Sequence, residues 1–162
     1  MSQAELILRA PRAEDGLAVW RFIEEVGTLE RNTAYAYVLL CTHFSDSCVV
    51  AEADGRLAGV VLAYRPPHRD DTLFVWQVGV HASMRGRGLG RRLLEAAVSR
   101  TGVRWLEATV APSNEASHHL FTGFARARGV ACHIGPGLGA ELFAPGHEAE
   151  ALFHIGPLET LS

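Results

Sequence analysis

Residues 72–90 read Thr-Leu-Phe-Val-Trp-Gln-Val-Gly-Val-His-Ala-Ser-Met-Arg-Gly-Arg-Gly-Leu-Gly, and the fold follows from how this stretch divides. Leu73 to Val80 is rich in β-branched and aromatic residues, the composition of a buried strand. A short connector leads to Arg85-Gly86-Arg87-Gly88-Leu89-Gly90. Beyond it Leu89, Leu93, Leu94 and Ala97 recur at helical spacing, with Arg91, Arg92 and Glu95 on other faces. A strand feeding a glycine-rich turn at a helix N-terminus is an anion site. Unpaired main-chain N–H groups and the positive end of the helix dipole converge there, and glycine lets the chain approach a phosphate closely.

The spacing excludes two common phosphate binders. A dinucleotide fingerprint needs a third glycine three residues after Gly88, where Arg91 stands, and a P-loop needs Gly-Lys-Ser/Thr, which is absent. What remains is Arg85-x-x-Gly88-x-Gly90, which resembles the coenzyme A pyrophosphate loop (Q/R-x-x-G-x-G/A) of the Gcn5-related N-acetyltransferases. The resemblance implies acetyl-CoA as cosubstrate, held by Arg85, Gly86, Arg87, Gly88, Leu89 and Gly90.

Composition is compatible with such an enzyme. At 162 residues the chain is expected to form a single domain over 1–162, with a core of about 6–157. Apolar residues make up 48% and charged ones 20%, an ordinary globular balance. The net charge of −3 is spread along the chain, so no nucleic-acid partner is expected. No run approaches 18 apolar residues, and Met1-Ser-Gln-Ala-Glu5 lacks a basic-then-apolar leader. A cytoplasmic location without membrane attachment is therefore expected. Cys41, Cys48 and Cys132 have no C-x-x-C spacing and read as small buried side chains. Of eight histidines, His118 and His119 are adjacent and should splay apart on a helix; with no H-E-x-x-H, no metal is expected.

Taken in order, the chain reads β-α-α-β-β-β-α-β-α-β-β, an α/β domain with a mixed sheet. Leu6 to Leu8 is a first strand. Ala13 to Val26 is a helix with Leu17, Trp20 and Ile23 at helical intervals, closed by Gly27. Residues 28–34 are a polar loop, and Tyr35 to Phe44 a second helix with Tyr37, Leu40, Cys41 and Phe44 inward. Cys48 to Ala53 and Arg56 to Tyr64 form a hairpin about Asp54-Gly55. Val103 to Val110 alternates as a strand should, and a helix runs from Pro112-Ser113-Asn114 through Phe121. Two closing strands are expected near 127–134 and 149–155, joined by a flexible Gly135–Gly139 connector.

A second motif, Asn114-x-x-Ser117-x-x-x-Phe121, resembles the family's N-x-x-A-x-x-x-Y segment after its fifth strand. The resemblance implies a twisted sheet splayed between its fourth and fifth strands, with the pantetheine arm in the gap. The main chain of Val78, Gly79 and Val80 would contact that arm, with Asn114 and Ser117 meeting it from the following helix. One departure matters: the family's usual Tyr acid is Phe121 here, which cannot donate a proton, so the thiolate leaves unassisted, is served by water, or is served by another residue, Tyr35 and Tyr37 being candidates.

Acetyl transfer sets its own demands. An amine of pKa about 10 must lose a proton before attack, and the oxyanion needs fixed donors. Acidic and aromatic groups outside the core pattern are Glu30, Asn32, Tyr35, Trp76, Glu107, Glu141, His147, Glu148 and Glu150, and they suit a cationic acceptor. The whole-length pattern (Gly27 to Tyr37, Tyr64-Arg-Pro-Pro67, Thr72 to Val80, Trp105 to Val110, His147-Glu-x-Glu150) is similar to family members that acetylate the γ-amine of L-2,4-diaminobutyrate in ectoine biosynthesis. This likeness implies a homodimer acting on a small diamine. Glu30, Tyr35 and Trp76 would be catalytic, and Glu30, Asn32, Tyr35, Trp76, His147 and Glu148 would bind substrate. Glu30 stands where those members usually carry Asp. Arg31, Arg65 and Arg69 are possible partners for the substrate carboxylate. Two alternatives stay open: an acetyltransferase for another small amine, or a non-catalytic acyl-CoA binder.

Overall fold

A computed structural model describes residues 5–159; the leader reading at residues 1–4 and the outer ends of the 1–162 domain lie outside them. The described residues form two compact units. One holds the chain up to Tyr64 together with Gln77–Thr101, the other Arg65–Trp76 together with the chain from Gly102.

The first unit contains β1 (Leu6–Arg9), α1 (Gly16–Val26), α2 (Ala34–His43), β2 (Val49–Ala53), β3 (Arg56–Tyr64), the C-terminal half of β4 (Thr72–Val80) and α3 (Leu89–Thr101). β1 pairs antiparallel with β2, from Leu6↔Ala53 to Arg9↔Val50. β2 turns into β3 at Asp54-Gly55, both with positive φ, as a two-residue hairpin requires. α3 buries Leu89, Leu93, Leu94, Ala97 and Val98, extending the expected stripe by one residue. It lies close on β3 because of Gly59, where a Cβ would stand 2.9 Å from Leu93 Cδ1.

α1 is rotated from the expected register. Its buried residues are Val19, Phe22, Ile23 and Val26, whereas Leu17 is exposed and Trp20 half-buried. Spacing alone could not separate two overlapping apolar stripes, and the one through Val19, Phe22, Ile23 and Val26 took the core. On α2, Tyr37 and Cys41 are buried as expected, but Phe44 lies past the last turn and is exposed, edge-on to Tyr64.

In the second unit the N-terminal half of β4 runs parallel to β5 (Trp105–Val110), from Thr72↔Trp105 to Val75↔Ala108. That ladder comprises four pairs. β5 pairs antiparallel with β7 (Glu150–Gly156), and β7 with the edge strand β6 (Ala131–Leu138). α4 (Glu115–Arg128) contributes Phe121, Phe124 and Ala125 to a core with Leu106, Phe153 and Ile155.

Two expectations are corrected here. Residues 127–128 are helical, because α4 continues until Gly129 (φ 66) closes it with a left-handed cap. Residues 135–138 belong to β6 rather than to a connector, with a register shift between Gly135 and Leu138; an edge strand tolerates a proline that cannot donate. Cys41 and Cys48 are buried, and Cys132 on β6 is half-buried. His118 and His119 do not splay fully, their rings standing 6.1 Å apart edge to face. No helix among the described residues is long and apolar enough to cross a membrane.

Candidate active site

The glycine loop is built for an anion. After β4, Ser83 N donates to His81 Nδ1 at 3.2 Å, closing one tight turn over Ala82–Met84. Gly86 and Gly88 both have φ +75, and a Cβ at either would meet nothing within 4 Å. Arg92 N donates to Gly88 O at 3.1 Å, so Gly88 occupies the N-cap position of α3. Lacking a side chain, it cannot satisfy the first N–H groups of the helix, which stay available to a ligand. A diphosphate fits this donor set: exposed main-chain N–H groups, the helix dipole and open space at both glycines.

Arg85 is placed differently from a simple phosphate ligand. Its Nη2 donates to Val26 O at 3.2 Å, so the guanidinium satisfies a carbonyl at the C-terminus of α1.

Directly after α1, Gly27 (φ 73) ends the helix and begins the loop carrying Glu30 and Asn32. Three hydrogen bonds hold this loop, and a fourth joins two of the groups that hold it. Trp20 Nε1 donates to Asn32 O at 3.0 Å, and Asn32 N donates to Tyr37 Oη at 3.2 Å. Tyr37 Oη donates to Gln77 Oε1 at 3.1 Å, and Gln77 Nε2 donates to Glu30 O at 2.7 Å. Arg31 lies 4.1 Å over the Trp20 ring and pairs with Glu24, engagements that weaken it as a substrate-carboxylate partner. Leu29 packs where a Cβ on Gly79 would be, 3.4 Å away. Thus the first unit brings Glu30 and Asn32 onto the strand segment Gln77–Val80 that precedes the glycine loop.

Tyr35 and Tyr37 part company. Tyr37 is fully buried, with its hydroxyl both accepting and donating, whereas Tyr35, in the first turn of α2, is 69% exposed. Of the two phenols considered as acids, Tyr35 alone faces solvent.

In the second unit Trp76 is half-buried on β4. Asn114 Oδ1 accepts from Ser117 N at 3.1 Å, so this amide caps α4 and its NH2 end lies outside that bond. Phe121 is buried against Phe153, its ring 6.3 Å away. Glu148 accepts from Ser113 Oγ at 2.6 Å and ties the 143–149 segment to the loop before α4. His147 stacks on Phe143 at 4.0 Å, and its Nε2 stands 3.6 Å from Glu150. Glu150 also accepts from Thr109 Oγ1 at 2.9 Å. The carboxylate that faces His147 is therefore Glu150, which the site assignment from sequence left out in favour of its neighbour Glu148.

Glu107 is not outside the core pattern. It is buried, paired with Arg69 at 2.9 Å and bonded to His154 Nδ1 at 2.9 Å; the His154 ring in turn stacks on Trp105 at 4.4 Å. Arg69 is thereby held to a structural carboxylate. Among the described residues no group of three or more His, Cys, Asp or Glu could hold a metal ion.

A mixed sheet whose fourth strand runs into this loop defines an acyl-CoA transferase class, and residues 16–124 match the family model described as Acetyltransferase (GNAT) family. The chain belongs to that family. Within it, the chain is 44% identical over 153 residues to the L-2,4-diaminobutyric acid acetyltransferase of Halalkalibacterium halodurans, covering 91% of this chain and 80% of that one. It is 42% identical to the enzyme of the same name from Shouchella clausii, over 96% and 89% of the two chains. A solved structure described as diaminobutyrate acetyltransferase EctA from Paenibacillus lautus, in complex with its substrate L-2,4-diaminobutyric acid and coenzyme A, superimposes with a TM-score of 0.90. Its identity is 41%, covering 98% of this chain and 99% of that one. The acetyltransferase fold expected from residues 72–90 is the one observed.

Proposed function

We propose that this chain transfers the acetyl group of acetyl-CoA to the γ-amine of L-2,4-diaminobutyrate, giving N4-acetyl-L-2,4-diaminobutyrate for ectoine biosynthesis. The observation that carries the reading is the near-complete likeness to a relative solved with that diamine and coenzyme A. It is supported by a glycine loop whose open N–H groups suit a diphosphate. The reading takes residues 1–162 as one N-acetyltransferase domain with its core at about 6–157, and a relative aligned over 96% of the chain supports it.

When bound, acetyl-CoA supplies a thioester already activated for acyl transfer. Residues Arg85 to Gly90 grip its diphosphate through main-chain N–H groups, and the main chain of Val78, Gly79 and Val80 lies along the pantetheine arm. Asn114 and Ser117 meet that arm from the head of α4. Glu30 draws the proton from the reacting ammonium, directly or through water, so that a neutral amine attacks. The main-chain N–H at Val78–Gly79 stabilises the oxyanion that forms. Phe121 cannot protonate the leaving thiolate; that group departs unassisted from this position, a thiolate being a better leaving group than an alkoxide.

Trp76 offers an aromatic face to the ammonium groups, and Asn32 and Tyr35 border the acceptor. His147 and Glu148 also bind the acceptor, and Glu150, already beside His147, is the carboxylate suited to the α-ammonium. The protein works in the cytoplasm as a homodimer. Support for a second copy comes from the exposed edge strand β6, where Ile134 and Leu138 are 48% and 39% exposed, followed by Leu142 at 66%.

Mass spectrometry of a reaction with acetyl-CoA and diaminobutyrate tests the reading. Acetylation at the γ-nitrogen with release of one thiol is expected. Coenzyme A binding without thiol release, or a clear preference for a polyamine or aminoglycoside, would overturn it.

A further inference from the structure

Gln77 is a buried polar side chain on the central strand, only 7% exposed, and both ends of its carboxamide are in use. The sense of the amide is fixed by its partners: a main-chain carbonyl can only accept, so Nε2 must face Glu30 O, leaving Oε1 to accept from Tyr37 Oη. Tyr37, itself fully buried, then accepts from Asn32 N. Two buried groups therefore grip the 27–33 loop at residue 30 and at residue 32, from beneath. Neither touches the Glu30 carboxylate. The carboxamide shares its face of β4 with buried Leu73, Val75 and Gly79, where an apolar residue would otherwise suit the burial.

The geometry points to Gln77 and Tyr37 as a positioning pair that fixes the reach of the Glu30 carboxylate, and with it the length of diamine accepted. The inference rests on the functional reading in which Glu30 meets the reacting amine. A side chain works at a defined distance only if its own main chain is held. Here the loop's main chain is anchored to the same strand that lines the acyl donor, so the distance from Glu30 to the strand is set by two hydrogen bonds. Loosening either bond lets the carboxylate swing outward and admits an amine on a longer arm.

Gln77→Glu keeps the size but replaces the donor facing Glu30 O with an acceptor. Tyr37→Phe removes the hydroxyl and keeps the ring. Each variant is assayed with diaminobutyrate and with ornithine, one methylene longer, alongside the KM for acetyl-CoA and the thermal midpoint. The pair predicts a loss of about tenfold or more in kcat/KM for diaminobutyrate. The preference for diaminobutyrate over ornithine should shrink by a comparable factor, with the acetyl-CoA KM within about twofold of wild type. A purely structural role would lower the thermal midpoint and leave that preference intact, which overturns the inference. If Gln77→Glu fails to fold, Tyr37→Phe decides, since it deletes a single oxygen of the pair. A wild-type protein that does not acetylate diaminobutyrate at all overturns the functional reading, a different result from an unchanged preference.

Discussion

Arg85 donates through Nη2 to the main-chain oxygen of Val26 at 3.2 Å, so the first residue of the glycine loop is fastened to the last turn of α1. Arg85→Ala should free both the loop and the helix end. We expect a loss of about 1 kcal/mol, hence a drop of roughly 2–4 °C in thermal midpoint, with a several-fold higher KM for acetyl-CoA. Arg85→Gln, which keeps a donor, should recover part of both. Differential scanning fluorimetry beside steady-state kinetics measures the two effects.

Gly88 presents a cleaner separation of binding from stability. A methyl group there meets no protein atom within 4 Å, but it must adopt φ +75 and it occupies the space where a phosphate would lie. Gly88→Ala should cost about 1–2 kcal/mol of stability and weaken coenzyme A binding more than tenfold. Calorimetric titration with coenzyme A tests this; unaltered affinity would remove the loop from the donor site.

Glu30→Gln keeps the loop contacts, which run through the main-chain oxygen at 2.7 Å from Gln77 Nε2 rather than through the carboxylate. Turnover should fall by about 10²-fold or more, with acetyl-CoA KM and thermal midpoint near wild type. Parallel losses in turnover and donor affinity would instead mark a structural residue.

The Arg69–Glu107 pair makes the opposite prediction. Glu107 is 95% buried in its side chain and held by both Arg69 and His154. Arg69→Ala leaves that carboxylate short of a counter-ion and should cost on the order of 3 kcal/mol, with a fall of roughly 6–12 °C in thermal midpoint. The KM for the diamine should not change. A raised KM without destabilisation would return Arg69 to the substrate.

Acid stability should report on Asp15. Its carboxylate accepts from Arg9 Nη1 at 2.7 Å, and the guanidinium holds its pKa below the usual value of 3.8. Because the folded pKa is depressed, the stabilisation is fully present above about pH 4 and is lost as pH falls through the folded value. Asp15→Asn should therefore be less stable than wild type by about 1–3 kcal/mol at pH 7, and the gap should narrow below pH 4. Urea melts at pH 7 and pH 3 decide it. A constant gap would place the effect in packing.

What could be read from residues alone was whatever depends on local order. The strand at Leu73–Val80, the loop at Arg85–Gly90 and the α3 stripe were legible because periodicity and glycine placement act within a few residues. The roles proposed for Glu30 and Asn32 come from resemblance alone, not from any local pattern around them. Gln77 and Tyr37 were not legible as a pair: they lie forty positions apart, and nothing in either neighbourhood announces a shared hydrogen bond. The same limit hid Glu107, whose carboxylate reads as exposed in a strand until Arg69 and His154 arrive from other segments. It also hid the use of Asn114 as a helix cap and the bond between Glu148 and Ser113, each of which draws on a residue named for ligand contact. The α1 stripe was misread because two sets of apolar residues satisfy the same period, and only packing chooses between them.

Alternate residues of one strand, Gln77 and Gly79, meet the 27–33 segment just before that strand gives way to the glycine turn. Inserting or deleting a single residue in β4 would reverse its facing and break both of these contacts at once. Descendants of this enzyme, natural or engineered, can thus vary the loop by point replacement, while the length of the strand beneath it is locked.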